Sequence, residues 1–94
     1  MKKYYVYMLR CFDGSFYVGV TNDVMCRFEQ HCSGNNPASY TYNRRPLLLV
    51  YVDEFQRVED AIAVEKKLKN WTHHKKRALA ERDWPLLRRL AARR

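Results

Sequence analysis

"YVYMLRCFDGSFYVG", residues 5–19, decides what the rest of the chain can be. It sets Tyr5-Val6-Tyr7 ahead of Tyr17-Val18-Gly19, with Asp13-Gly14 between them. Residues 3–12 and 15–21 are rich in Tyr, Val, Phe and Met, and a glycine turn divides them, which is the pattern of a β-hairpin. Side chains alternate across a strand, so loop length decides which residues share a face. A two-residue Asp13-Gly14 loop would set Tyr7 opposite Val20 and Tyr17 opposite Arg10, leaving the two tyrosines on opposite faces. A three-residue Asp13-Gly14-Ser15 loop puts Tyr7, Leu9 and Cys11 on one face with Tyr17, Gly19 and Thr21. Such loops commonly need a residue at positive φ, which Gly14 can supply, and the odd loop is the reading adopted.

Outward from the hairpin, Thr21-Asn22-Asp23 offers capping side chains to a helix over 24–33. "CSGNNPAS", 32–39, is a loop by composition, and "YTYNRRP", 40–46, leads into "LLLVYV", a third strand expected at the centre of the sheet. Helical periodicity returns over 58–70 and 73–82, and Asp83-Trp84-Pro85 opens a short fourth helix, since Pro is tolerated in a first turn. The order β-β-α-β-α-α specifies an α+β fold, a small three-stranded antiparallel sheet flanked by helices. A chain of 94 residues has room for one core. Residues 1–82 are expected to form that domain and 83–94 a basic helical extension.

Charge narrows the partners. Residues 71–94 carry eight of the 18 basic and two of the 10 acidic residues, a net +6 against +2 for the other 70. An imbalance of this size favours a polyanion, most often nucleic acid, with a membrane-surface tail as the rival. No apolar run approaches the length of a membrane span, and "MKKYYVYMLR" lacks the apolar stretch and cleavage site of a signal peptide, so a cytoplasmic protein is expected. Cys11, Cys26 and Cys32 show no zinc-like spacing and are expected to be reduced thiols, mostly filling the core.

Two polar groups stand out on helical wheels of about 100° per residue. In 24–33, Val24, Met25, Phe28 and Cys32 make the expected buried stripe, with Arg27 and His31 as an i, i+4 pair on its margin. In 58–70, Ala61, Ile62, Val64 and Leu68 are the apolar residues, and Glu65 falls among them. A carboxylate there is costly unless it meets a cation, a metal or donors. It either forms an ion pair, with Arg27 as one candidate, or faces a cleft.

These residues, in this order, resemble the GIY-YIG nucleases. The two triplets are similar to that family's signature pair, and Thr21-Asn22, Arg27, His31, "RRPLLLVY" and Glu65 follow in the expected sequence. The resemblance spans roughly residues 3–80 and is closest to small single-domain bacterial proteins of the YhbQ-like, UPF0213 type. It implies hydrolysis of DNA phosphodiesters with one Mg²⁺ or Mn²⁺. Tyr7 and Tyr17 would orient or deprotonate water, Arg27 would stabilise the phosphate charge, His31 would assist there, and Glu65 would hold the metal. Tyr5 stands where the family name has Gly, and a late Asn used by many members has only Asn70 as a candidate. A second His of some homing-type relatives is absent, with Tyr40 or Tyr42 near its place.

That chemistry can be weighed on its own terms. A tyrosine with a pKa near 10 is a poor base at neutral pH unless cations favour its anion or a metal acidifies the water instead. Arg27 offers a fixed charge and a planar fork suited to phosphate. Tyr40, Tyr42, Arg44 and Arg45 interleave aromatics with cations, a pairing that suits unstacked bases, although the tyrosines could equally pack under a loop. With Lys69, Lys75 and Lys76 they are the expected nucleic-acid contacts. These residues show no zinc finger or other reader module, and single-stranded or structured DNA is expected rather than a long duplex site. A DNA-binding module of the same fold without catalysis is the rival reading.

Overall fold

The computed structural model describes residues 2–92. Met1 and residues 93–94, the end of the expected extension, lie outside the described residues. The first strand, β1 (Tyr4–Cys11), holds Val6, Tyr7, Met8 and Leu9 at 0–2% exposure. Four consecutive buried residues in a strand bury both of its faces, because neighbouring side chains point opposite ways. β1 is accordingly the middle strand. β2 (Phe16–Thr21) pairs with it on one side and β3 (Leu47–Phe55) on the other, both antiparallel, in the order β2-β1-β3.

The third strand therefore lies at an edge, not at the centre. Leu48 and Val52 are exposed there, whereas β1 carries an equally apolar run with both faces covered. An apolar run marks a strand but does not give its position in the sheet.

Helices cover the two faces unequally. On one face Val6, Met8, Phe16 and Val18 pack with Ala61 and Leu68 of α2 (Val58–Lys69) and Leu79 of α3 (His73–Ala80). Leu87 of α4 (Trp84–Ala92) packs against the same cluster. On the other face Tyr7, Leu9, Cys11 and Leu47 form a smaller cluster, joined by Tyr17 and by Phe28 of α1 (Val24–Ser33). Fully burying an aliphatic side chain such as Leu9 contributes about 1.5–3 kcal/mol, so both clusters matter to a chain this small.

The hairpin loop is odd, but it sits one residue earlier than expected. Cys11 N–H donates to Ser15 O and Gly14 N–H to Cys11 O, both at 2.9 Å, so Phe12, Asp13 and Gly14 make the turn. Gly14 sits at φ +85°, a conformation that favours glycine. Ser15 N–H and Oγ–H both donate to the Asp13 carboxylate, which closes the turn from the side. Tyr7 then faces Gly19 and Leu9 faces Tyr17, which keeps both tyrosines on one face.

Asp23 caps α1 by accepting from Cys26 N–H at 3.0 Å. The buried side of α1 is rotated from the expected stripe: Val24, Phe28 and His31 are half-buried, while Met25 (60% exposed) and Cys32 face solvent. His31 displaces the more apolar residues because the sheet beneath it presents a hydroxyl, Tyr7 Oη. Of the three cysteines, only Cys11 is buried; Cys26 and Cys32 are exposed thiols on α1.

Gly19 answers to the same tyrosine. A methyl group at position 19 would lie 2.5 Å from Tyr7 Oη and 2.7 Å from the ring carbon bearing it. Gly19→Ala is expected to lower stability by about 1–3 kcal/mol, because the buried ring has nowhere to move. A reduced midpoint in urea unfolding checks this, and an unchanged midpoint would contradict it.

Candidate active site

Tyr7 puts a hydroxyl inside the sheet's smaller cluster, and a buried hydroxyl needs a partner. His31 supplies it: Tyr7 Oη and His31 Nε2 are 2.9 Å apart. Tyr17, on the same face, brings its ring centroid to 6.2 Å from Tyr7 and 5.1 Å from His31. Tyr7 and His31 themselves lie 5.9 Å apart by centroid, so three titratable rings gather at one point.

Burial pushes the Tyr7 phenol well above its usual range, and the adjacent Tyr17 phenol adds to this. The Arg27 guanidinium works against the rise, and the Glu65 carboxylate adds slightly to it. Burial also depresses His31, with the Arg27 charge reinforcing the effect. The result is a protonated phenol beside a neutral imidazole, with a cation close enough to act on both. Both shifts hold the proton on the phenol, so the pair rests neutral, and a transfer to the imidazole needs charge developing beside it.

Tyr17 and His31 open onto a cleft of about 500 Å³ lined also by Arg27, Gln30, Asn35, Asn36, Ser39 and Tyr40, and Tyr7 lies buried behind them. Arg27 is exposed at its wall and, among the described residues, makes no ion pair. Its fork is available to an anion. Tyr40 stacks against Tyr17 at 6.1 Å, and the Arg44 guanidinium caps the Tyr40 ring at 3.8 Å. A second groove, about 290 Å³, shares Tyr17 and Tyr40 and adds Phe16, Val18, Lys69 and Lys76.

Several expected contact residues are already engaged. Arg44 donates to Tyr40 O at 2.6 Å and to the Asp13 carboxylate at 3.2 Å. Arg45 donates to Tyr42 O and Cys32 O and lies over the Tyr42 ring. Both arginines thus tie the loop at 34–46 to the hairpin and to α1. Lys75 lies over Trp71 at 5.8 Å, away from the cleft, and Asn70 ends α2 by donating its backbone N–H to Lys66 O and Lys67 O.

Glu65 lies on α2 with its side chain 19% exposed. Its ion-pair partner is Lys69, one turn along at 3.2 Å, rather than Arg27. Among the described residues no three His, Cys, Asp or Glu side chains gather to hold a metal. One carboxylate is a poor donor set for zinc, which takes three or four protein ligands. It suits Mg²⁺ or Mn²⁺, because hard ions of this kind keep waters and accept substrate phosphate oxygens beside one or two carboxylates. No described helix is long and apolar enough to cross a membrane.

The fold brings together Tyr7, Tyr17, Arg27, His31 and Tyr40, which are far apart in sequence. It leaves Tyr42, Arg45 and Lys75 outside this group. Sequence reasoning missed Gln30, Asn35, Asn36 and Ser39 on the cleft wall and Thr41 behind His31. Gln30 lies on α1 one turn from Arg27, and the others lie in the loop, whose course alone reveals them.

Comparison with known proteins adds family evidence. The GIY-YIG catalytic domain profile matches residues 3–78. A UPF0213 protein of Lacticaseibacillus paracasei is 42% identical over 80 residues, covering 85% of this chain and 89% of that one. A UPF0213 protein of Staphylococcus aureus is 40% identical over 83 residues, covering 87% of this chain and 100% of that one. Two solution structures share the fold. A UPF0213 protein of Bacillus halodurans has a TM-score of 0.54 at 40% identity, covering 84% of this chain and 83% of its own. A protein of E. faecalis has a TM-score of 0.58 at 36% identity, covering 81% and 80%.

The depressed His31 has a consequence for stability. Below its ordinary pKa of 6.5 the unfolded chain binds a proton that folded His31 resists. Its contribution is therefore fully present above that value and is lost as pH falls toward the lower folded pKa. Thermal midpoints are expected to fall on acidification through this window, and to fall less steeply in His31→Gln. Parallel profiles would contradict the assignment.

Proposed function

The chain belongs to the GIY-YIG family, and from that premise we propose that it is a DNA endonuclease dependent on Mg²⁺ or Mn²⁺. It acts in the cytoplasm, with single-stranded or branched DNA as its preferred substrate. The observation that carries this reading is the convergence of Tyr17 and His31 on a cleft walled by Arg27, with Tyr7 bonded to His31 behind them.

Phosphodiester hydrolysis needs an activated water, charge neutralisation at the phosphate and a proton for the leaving oxygen. Tyr7 will not ionise unaided, since burial holds its proton. The acceptor at hand is the neutral His31, and the transfer is driven by bond formation at phosphorus. As the oxygen of water forms its bond to phosphorus, one water proton passes to Tyr7 Oη and the Tyr7 proton passes to His31 Nε2 across 2.9 Å. Tyr17, which lines the cleft with its ring centroid 6.2 Å from that of Tyr7, orients the same water. The Arg27 fork takes two phosphate oxygens as negative charge grows on them. Glu65 would hold the divalent ion, which when bound supplies further positive charge against the phosphate oxygens. The leaving oxygen takes its proton from solvent.

Substrate binding follows from the surrounding charge. The groove shared by Tyr17 and Tyr40 offers Lys69 and Lys76 to neighbouring phosphates. Tyr40 is 43% exposed and presents aromatic surface to an unpaired base, with Arg44 over its ring and Tyr42, Arg45 and Lys75 further out. Residues 1–82 serve as the nuclease domain, and the basic extension at 83–94 adds sequence-independent attraction.

Incubation with Mg²⁺ or Mn²⁺ against single-stranded, duplex and branched DNA tests the reading. Arg27→Ala and Glu65→Ala are each expected to lower cleavage by about 10³-fold or more while DNA binding largely survives. Cleavage by both variants at the wild-type rate would sink it. Wild-type binding without cleavage would favour a non-catalytic module of the same fold.

A further inference from the structure

Thr41 is 0% exposed, although it lies in a loop between two tyrosines. A wholly buried threonine must place its hydroxyl somewhere. Its Oγ1 lies 2.9 Å from His31 Nδ1 and 2.9 Å from Ser39 Oγ. The Thr41 N–H also donates to Ser39 Oγ, at 3.3 Å. Tyr7, His31, Thr41 and Ser39 therefore form one continuous chain of hydrogen bonds from the middle of the sheet to the cleft wall.

We propose that Thr41 is a positioning residue that holds His31 in the tautomer with its proton on Nδ1. A neutral imidazole has one N–H and one lone pair, and its neighbours decide which nitrogen has which. In that tautomer Tyr7 Oη–H donates to Nε2 across the 2.9 Å contact on the sheet side. On the loop side, Thr41 Oγ1 would then accept from Nδ1–H and pass its own proton toward Ser39 Oγ. Ser39 lines the cleft, so its hydroxyl proton can turn to solvent. Every donor in this direction meets an acceptor. The lone pair left on Nε2 is the one that must take the Tyr7 proton, and a histidine in the other tautomer could not take it. The structural part of this proposal stands on the loop geometry alone, and its kinetic part rests on the nuclease reading.

Thr41→Val keeps the shape of the side chain and removes the hydroxyl. An Nδ1–H with no acceptor would be buried and unsatisfied, so the imidazole is expected to move its proton to Nε2, where Tyr7 Oη can accept it. Long-range ¹H–¹⁵N spectra of ¹⁵N-labelled protein at neutral pH, without DNA, report the tautomer directly, with His31→Gln to assign the signals. The wild type is expected to carry the proton on Nδ1, Thr41→Val on Nε2, and Thr41→Ser on Nδ1 again. In cleavage assays Thr41→Val is expected to lose about 10²-fold in kcat with KM unchanged, since a wrong tautomer removes the base without touching binding, and Thr41→Ser to recover most of it. A wild-type His31 protonated on Nε2 would overturn the proposal even if Thr41→Val fails to fold. An unchanged tautomer in Thr41→Val, or a loss confined to KM, would do the same. Absence of cleavage in every variant, wild type included, would tell against the nuclease reading alone, because the tautomer is read without DNA.

Discussion

The hydrogen bond between Tyr7 and His31 is the contact on which the rest of the site depends. Tyr7 lies on the middle strand, 2% exposed, with both neighbouring residues buried on the other face. A phenol in that position can be kept only if its hydroxyl is satisfied, and the sheet's own backbone bonds cannot satisfy it. His31 reaches down from α1 to do so. The demand then spreads: His31 needs a partner on its second nitrogen, which places Thr41. The ring needs space, which requires a glycine opposite.

The electrostatic character of the cleft comes from the same burial. Removing water raises the phenol and lowers the imidazole, so both are neutral at neutral pH. Two neutral groups in contact cost little to bury, yet they can exchange a proton when charge develops nearby. Arg27, at the exposed wall, is the fixed charge nearest to them on the cleft. Glu65 stands further off and pairs with Lys69, an exposed cation that can let it go cheaply.

The segment at 34–46 turns a polar, glycine-containing sequence into the cleft wall. Arg44 and Arg45 do this by spending their donors on backbone carbonyls and on Asp13, and by covering Tyr40 and Tyr42. The arginines expected to meet phosphate are thus first of all the struts of the loop. Tyr40, held against Tyr17, is the part of this segment that touches both grooves.

Much was legible in the residues themselves. Strand patterning and the helical periods of 24–33 and 58–70 specified an α+β fold, because these patterns depend only on local backbone geometry. The shared face of Tyr7 and Tyr17 hung on the choice of an odd turn around Gly14, which the structure has one residue earlier. The uneasy position of Glu65 on an apolar stripe could be read in the same way. Tertiary structure alone decided that β1 and not β3 is central, that α1 turns His31 rather than Cys32 toward the sheet, and that Thr41 stands behind His31. Each of these depends on which partner waits across the gap. A helical wheel ranks side chains by their own hydrophobicity, whereas burial follows the sum over both surfaces, and a hydroxyl under the helix makes a histidine the better neighbour.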